Sequence, residues 1–200
     1  MQKLTLATLS TVAFTLASTN VFAVDGTITV KGAVTDQTCT LQGYREASGT
    51  KDITVNIPAV SKSSFIFNRA PGFVVIQVFL KNATGTANCD AATVKAFKGI
   101  HLSVASPTTD LDETDKTLLV NKAVGAASTK NPVFIGIRAY VGDSSEAVDF
   151  SAPWGRQVIS KVSKGVNDAA VLYVASVISK TRIVDAQNVT ATINYTLHYN

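Results

Sequence analysis

Charge is scarce in this chain. Asp, Glu, Lys and Arg make up 16% of 200 residues, and 18 cations face 14 anions. With the lysines and arginines scattered along the chain, that balance argues against a nucleic-acid partner. Histidine occurs only twice, as His101 and His198, and neither stands beside Ser or Cys in a recognised nucleophile motif. A Ser-His-Asp triad can still be assembled from distant residues, so a secreted β-sandwich hydrolase stays a rival reading. There is no glycine-rich phosphate loop and no His/Glu metal motif. No catalytic residue, cofactor or metal is expected. Two cysteines without a histidine at ligand spacing do not make a zinc site. The one tryptophan, Trp154, lies in Pro153-Trp154-Gly155. It is read as a loop residue folded over the core rather than a surface binding aromatic. After the first two dozen residues no segment resembles a membrane-spanning helix.

What the chain does have begins at its start. Lys3, an apolar stretch from Leu4 to Leu16, and Val21-Phe22-Ala23 with small residues at the cleavage positions read as an export signal over residues 1–23. A membrane anchor is the alternative, but the apolar run is interrupted by Ser and Thr and is short for a bilayer. Removing the signal takes one positive charge from the net of +4. The remainder suits a single domain. In an oxidising compartment Cys39 and Cys89 form one disulfide, two free buried thiols being the alternative. Closing a loop of about fifty residues stabilises a fold by roughly 4 kcal/mol in the chain-entropy model.

Strand signals dominate the rest. The mature chain is rich in Val, Thr, Ala and Ile, and β-branched side chains suit a pleated, half-buried surface. Ile53, Val55 and Ile57 alternate until Pro58. Phe73 to Leu80 is nearly continuous in apolar residues, as for a strand buried on both faces. Ile100, Leu102 and Val104 alternate, as do Val133, Ile135, Ile137 and Ala139. An apolar run covers Leu172 to Ile178, and a last strand runs from about Val189 to Tyr199. Asp90 to Phe97 is the place for a short helix. Short strands separated by turn-rich segments predict an all-β, immunoglobulin-like sandwich.

Two local features have bland readings. Asp110, Asp112, Glu113 and Asp115 offer hard oxygen ligands for calcium, but they lack the spacing and central glycine of a calcium loop. They read as a solvated turn. Asn82, Asn188 and Asn194 each open an Asn-x-Thr triplet, to which no role is assigned.

The two ends of the mature chain are more specific. Val24, Gly26, Ile28, Val30 and Gly32 fall on one face of a strand, with Asp25, Thr27, Thr29 and Lys31 on the other. An ordinary first strand would gain from side chains at positions 26 and 32. Glycine there suits a site where another backbone approaches closely. The segment from Gly26 through Gly32 and Val34 to Cys39 resembles the mature N-terminus of chaperone–usher pilins, the major subunits of type 1-like and type 3-like fimbriae. At the other end Ile193, Tyr195, Leu197, Tyr199 and Asn200 resemble the final strand of those subunits, with its penultimate tyrosine. Leu172–Val177 and Val133–Arg138 resemble inner strands, so the likeness runs the length of the chain in order. One departure stands out: Gln187 occupies a position where the family often has glycine, which leaves the start of the last strand open.

The resemblance implies an incomplete sandwich lacking its last strand. Residues 1–23 would be the signal, 24–33 a donor-strand extension, and 34–200 the pilin domain. Val24, Gly26, Ile28, Val30 and Gly32 would enter a neighbour's groove beside Ile193, Tyr195, Leu197, Tyr199 and Asn200. Implied partners are identical subunits, a periplasmic chaperone whose basic residues hold the Asn200 carboxylate, an outer-membrane usher, and a tip adhesin. The implied location is a fimbria on the bacterial surface, reached through the periplasm. A minor adaptor or single-domain adhesin is the closest alternative, since one domain leaves no room for a separate receptor-binding module.

Overall fold

In the computed structural model, residues 38–164 and 168–200 are described. Eleven strands and three short helices follow in chain order. They are β1 (Thr40–Tyr44), β2 (Ala47–Ser48), β3 (Thr54–Val55), α1 (Ser64–Phe67), β4 (Gly72–Lys81), α2 (Ala91–Ala96), β5 (Phe97–Ser103), α3 (Pro107–Asp110), β6 (Leu118–Val120), β7 (Phe134–Val141), β8 (Ser144–Ala147), β9 (Val162–Lys164), β10 (Ala169–Ile178) and β11 (Asn194–Tyr199). The all-β expectation holds.

The principal sheet has the order β1-β4-β10-β7-β6, with β8 added on β7 and β9 on β10. A second layer is the antiparallel pair β5–β11. Side chains from both layers share one core: Leu41, Val74, Val78 and Leu80 meet Ile135, Ile137, Val171 and Tyr173 from the large sheet, and Phe97, Ile100 and Leu102 from β5. Alternation along each strand puts these residues on the inner face. Leu80, Ile100 and Val171 are fully buried, each stabilising the fold by about 1.5–3 kcal/mol relative to exposure.

The near-continuous apolar run in β4 does not produce burial on both faces. Val74, Val78 and Leu80 point inward, whereas Phe73 remains 66% exposed and Val75 39%. The strand that is buried almost throughout is β10, held between β4 and β7. Two other strands are shorter than their sequence patterns. Of Ile53, Val55 and Ile57 only Val55 belongs to a strand, the two-residue β3 paired with β2. β11 begins at Asn194, and no strand covers residues 189–193.

Helix α2 forms where expected, because Asp90 accepts a hydrogen bond from the Thr93 N–H at 2.9 Å and caps it. The hydroxyl of Thr93 also donates to Asp90, and these bonds hold the Asp90 carboxyl below its ordinary range. The acidic cluster is a braced turn. Asp112 receives the Lys180 ammonium at 2.9 Å, Asp110 receives Lys122 at 3.3 Å, and Asp115 accepts from Thr117.

Strand direction gives the sandwich two distinct ends. Gly72, Phe134 and Ile178 lie together at one, which also holds the approach to β11, because the Asn121 side chain after β6 donates to the Asn188 carbonyl at 2.7 Å. At the other end Cys39 leads into β1, whose Thr40 pairs with Lys81, and the Cys39 N–H donates to the Tyr199 hydroxyl at 3.2 Å.

Candidate functional site: the last strand and its edge

Strand β11 has an inward face of Tyr195, Leu197 and Tyr199 and an outward face of Thr196 and His198, as the period of two requires. Its partner on one side is β5, in the register Tyr195 to Leu102 and Leu197 to Ile100. Along its other edge no strand is paired among the described residues. The inward residues are correspondingly only half-buried. Ile193, Tyr195, Leu197 and Tyr199, with Val189 and Ala191 before them, pack against the core without being enclosed by it. An edge strand with an apolar face and unpaired backbone groups is a template for another strand.

Ile53, Val55 and Ile57 also rest half-buried on the same core. The Tyr195 hydroxyl donates to the Lys51 carbonyl at 2.8 Å, tying that segment to β11. The Tyr199 ring meets Phe97 edge-on at 5.7 Å between centroids. Burial raises the ionisation of both phenols, Tyr195 and Tyr199, above the ordinary value. Both side chains are therefore neutral hydrogen-bonding anchors on an otherwise apolar row. Asn200 closes the strand with its N–H donating to the Ala96 carbonyl at 3.1 Å.

The two edges of the β5–β11 pair differ. On β5 the outer edge is bridged at Leu102 by one amide side chain. Gln157 accepts from the Leu102 N–H at 2.9 Å and donates to the Leu102 carbonyl at 2.8 Å, which reproduces a strand bridge. Its Nε2 also donates to the Asp149 carbonyl at 2.7 Å. The loop carrying Gln157 lies across the outward face of the pair. There Trp154 stacks on His198, ring centroids 3.8 Å apart, and His101 sits 6.0 Å from His198. Trp154 thus covers the outer face of this pair. Gly99 permits the approach: its φ is +154°, and a Cβ would lie 2.4 Å from the Ile159 side chain. His101 Nε2 is 2.9 Å from the Ala152 carbonyl, whereas His198 Nε2 is buried without a hydrogen-bond partner. Both histidines belong to this aromatic packing.

Gln187 resolves the start of the last strand. Its Oε1 accepts from Asn121 Nδ2 and from the Ser128 N–H, both at 3.2 Å, and its Nε2 donates to the Asn131 carbonyl at 3.0 Å. The side chain therefore ties the approach to β11 to the loop before β7. Asp185 joins the same junction, held below the usual carboxylate range by hydrogen bonds from Ser128 and Asn131. The amides Gln157 and Asn121 gave no sequence signal, because an isolated Gln or Asn has no periodic pattern.

Cys39 and Cys89 are joined in a disulfide with a Cα–Cα distance of 5.6 Å. It clamps the entry to β1 against the N-terminal side of α2. Val24, Gly26, Ile28, Val30 and Gly32 lie outside the described residues.

Among the described residues the last strand of this all-β fold is thus half-covered and paired on one side. Two known fimbrial proteins are similar to the chain over most of its length. The chain is 27% identical over 185 residues to an F17 fimbrial protein of Escherichia coli, spanning 92% of each chain. It is 28% identical over 183 residues to the major fimbrial subunit SMF-1 of Stenotrophomonas maltophilia strain K279a, covering 89% of this chain and 94% of that one. A solved chaperone–usher pilus structure aligns with 88% of this chain and 95% of its own, at a TM-score of 0.46 and 16% identity. No protein-family profile matches the chain. The likeness to fimbrial subunits read from the two ends of the sequence is borne out over nearly the whole length.

Proposed function

We propose that this chain is a structural subunit of a bacterial surface fimbria, exported through the periplasm and polymerised head to tail by strand exchange. What carries this reading is the half-buried row of Ile193, just before β11, and Tyr195, Leu197 and Tyr199 on it, a strand with a partner on one side only among the described residues. A strand laid along that edge gains main-chain hydrogen bonds, and its alternate side chains gain apolar cover. Val24, Gly26, Ile28, Val30 and Gly32 have the required period, and burying Ile28 and Val30 would contribute about 1.5–3 kcal/mol each. Because the donor belongs to one copy and the acceptor edge to another, the contact is heterologous and continues as a filament.

The free subunit carries an aggregation hazard along β11. A periplasmic chaperone would cover it with its own strand and hold the Asn200 carboxylate with basic side chains. An outer-membrane usher would then replace that strand with the next subunit's. A tip adhesin would end the series. The full-length likeness to a major fimbrial subunit favours a shaft role over that of an adaptor.

Deleting Val24–Gly32 tests the reading. The deleted subunit should no longer polymerise by itself, and a synthetic peptide of those residues should bind it and raise its melting temperature. Filaments of ordinary length from the deleted subunit would refute the donor assignment.

A further inference from the structure

Exposed apolar side chains are unevenly placed on this molecule. Of the eight large ones among the described residues, Phe73 lies where β10 finishes, Ile66, Phe67 and Ile183 adjoin the Phe65, Val177 and Val184 cluster there, and Val124 follows β6 at the same end. Helix α1 reaches there because Phe65 is buried against Val133, Val177 and Val184, and the Arg69 carbonyl accepts from the Ser179 N–H. That anchoring leaves Ile66 and Phe67 60% and 86% exposed, and Ile183, next to Val184 of the same buried cluster, 64% exposed. A cluster of this kind marks an interaction site.

Its occupant follows from chain reach, taking the strand-exchange reading as the starting point. All the strand pairs in the described residues are antiparallel. A donor laid antiparallel on β11 begins near Tyr199 and leaves near Asn188, at the Ile178 end. From Gly32 to Cys39 is seven residue steps, a reach of at most about 25 Å. A ten-residue strand such as β4 is about 34 Å long, so the donor's own body cannot swing round to the far end of the acceptor. It must sit against the Ile178 end, with its Cys39 end foremost.

We propose that Ile66, Phe67 and Ile183 form the seat on which the body of the next copy of this chain rests in the filament. The seat adds a second contact to strand exchange and fixes the angle between successive subunits.

Maleimide labelling of a Phe67→Cys variant, with Ile183→Cys as the second position, tests this. Both side chains are exposed, so neither change threatens folding. The full mature chain is labelled as assembled polymer and as monomer whose groove is filled by excess peptide of residues 24–32. Labelling at both positions should be slower in the polymer by about tenfold or more, as expected where contact excludes water. Equal rates in the two forms would overturn the seat while the polymer itself upheld strand exchange. If the peptide neither binds nor blocks assembly, strand exchange fails and the seat with it. Protection of the capped monomer by phosphatidylglycerol vesicles, with the polymer still reactive, would assign the surface to an anionic membrane and overturn the proposal.

Discussion

Strands β10 and β11 both carry a row of apolar residues at every second position, and the two rows meet opposite fates. In β10, Val171, Tyr173, Ala175 and Val177 are buried, with β4 on one side and β7 on the other. In β11, Tyr195, Leu197 and Tyr199 are half-buried, with β5 the one paired strand among the described residues. Both patterns predict a strand with an apolar face. What separates them is neighbour count, which depends on topology. The contrast sharpens at β5, where the Gln157 amide bonds the outward N–H and carbonyl of Leu102. One edge of the pair is thus bridged by a side chain at Leu102, and the other carries no paired strand among the described residues.

Charge on the two faces of β11 gives the largest expected effect. Tyr195→Asp combined with Leu197→Asp should weaken binding of the 24–32 peptide at least about 100-fold, since apolar cover is lost and charge enters the contact. Thr196→Asp, on the outward face, should leave peptide affinity nearly unchanged. Titration with a fluorescent peptide reads both. Equal losses from the two faces would break the distinction between them.

Cavity substitutions sharpen the comparison between the closed core and the open edge. Leu80→Ala should cost about 2–5 kcal/mol whether or not the peptide is bound, because Leu80 is already fully enclosed. Leu197→Ala should cost less than this in the unfilled subunit and more once the peptide covers it. Urea unfolding with and without peptide measures the difference. A Leu197→Ala cost independent of peptide would mean that the row needs no cover.

Gln187→Ala addresses how β11 is entered. Loss of its amide leaves the Ser128 N–H and the Asn131 carbonyl without that partner, at a cost of about 1–3 kcal/mol. Unfolding midpoints check it, and Gln187→Gly should be no more stable. The role of this side chain is not legible in the local sequence. The alternation from Ile193 to Tyr199 showed the strand and its apolar face, since period and burial go together. Gln187 showed only a departure from a family pattern, because the use of a side-chain amide depends on which distant loops come within 3 Å of it. The same holds for β4: its apolar run suggested enclosure on both faces, but no layer covers Phe73. Val55 likewise had the pattern of a longer strand, of which only Thr54 and Val55 pair among the described residues.

The smallest effect concerns the outward face of the β5–β11 pair. Burial lowers the ionisation of His198 below its ordinary value, and the charge of His101 lowers it further. For a base the sign is then fixed: the unfolded chain takes up the proton more readily than the folded one. The stability associated with neutral His198 is present above the unfolded value of about 6.5 and is lost as pH falls below it. The stacked Trp154 ring reports the event, because it is the only tryptophan and lies 3.8 Å from the imidazole. Lowering the pH from about 8 to about 5 should shift Trp154 emission and lower the melting temperature slightly. His198→Phe should keep the ring contact and remove much of the pH response, while Tyr195 and Leu197 on the opposite face still accept the peptide. An unaltered titration in His198→Phe would place the proton elsewhere. Loss of peptide binding in that variant would mean that the covered face and the open edge of β11 are coupled after all.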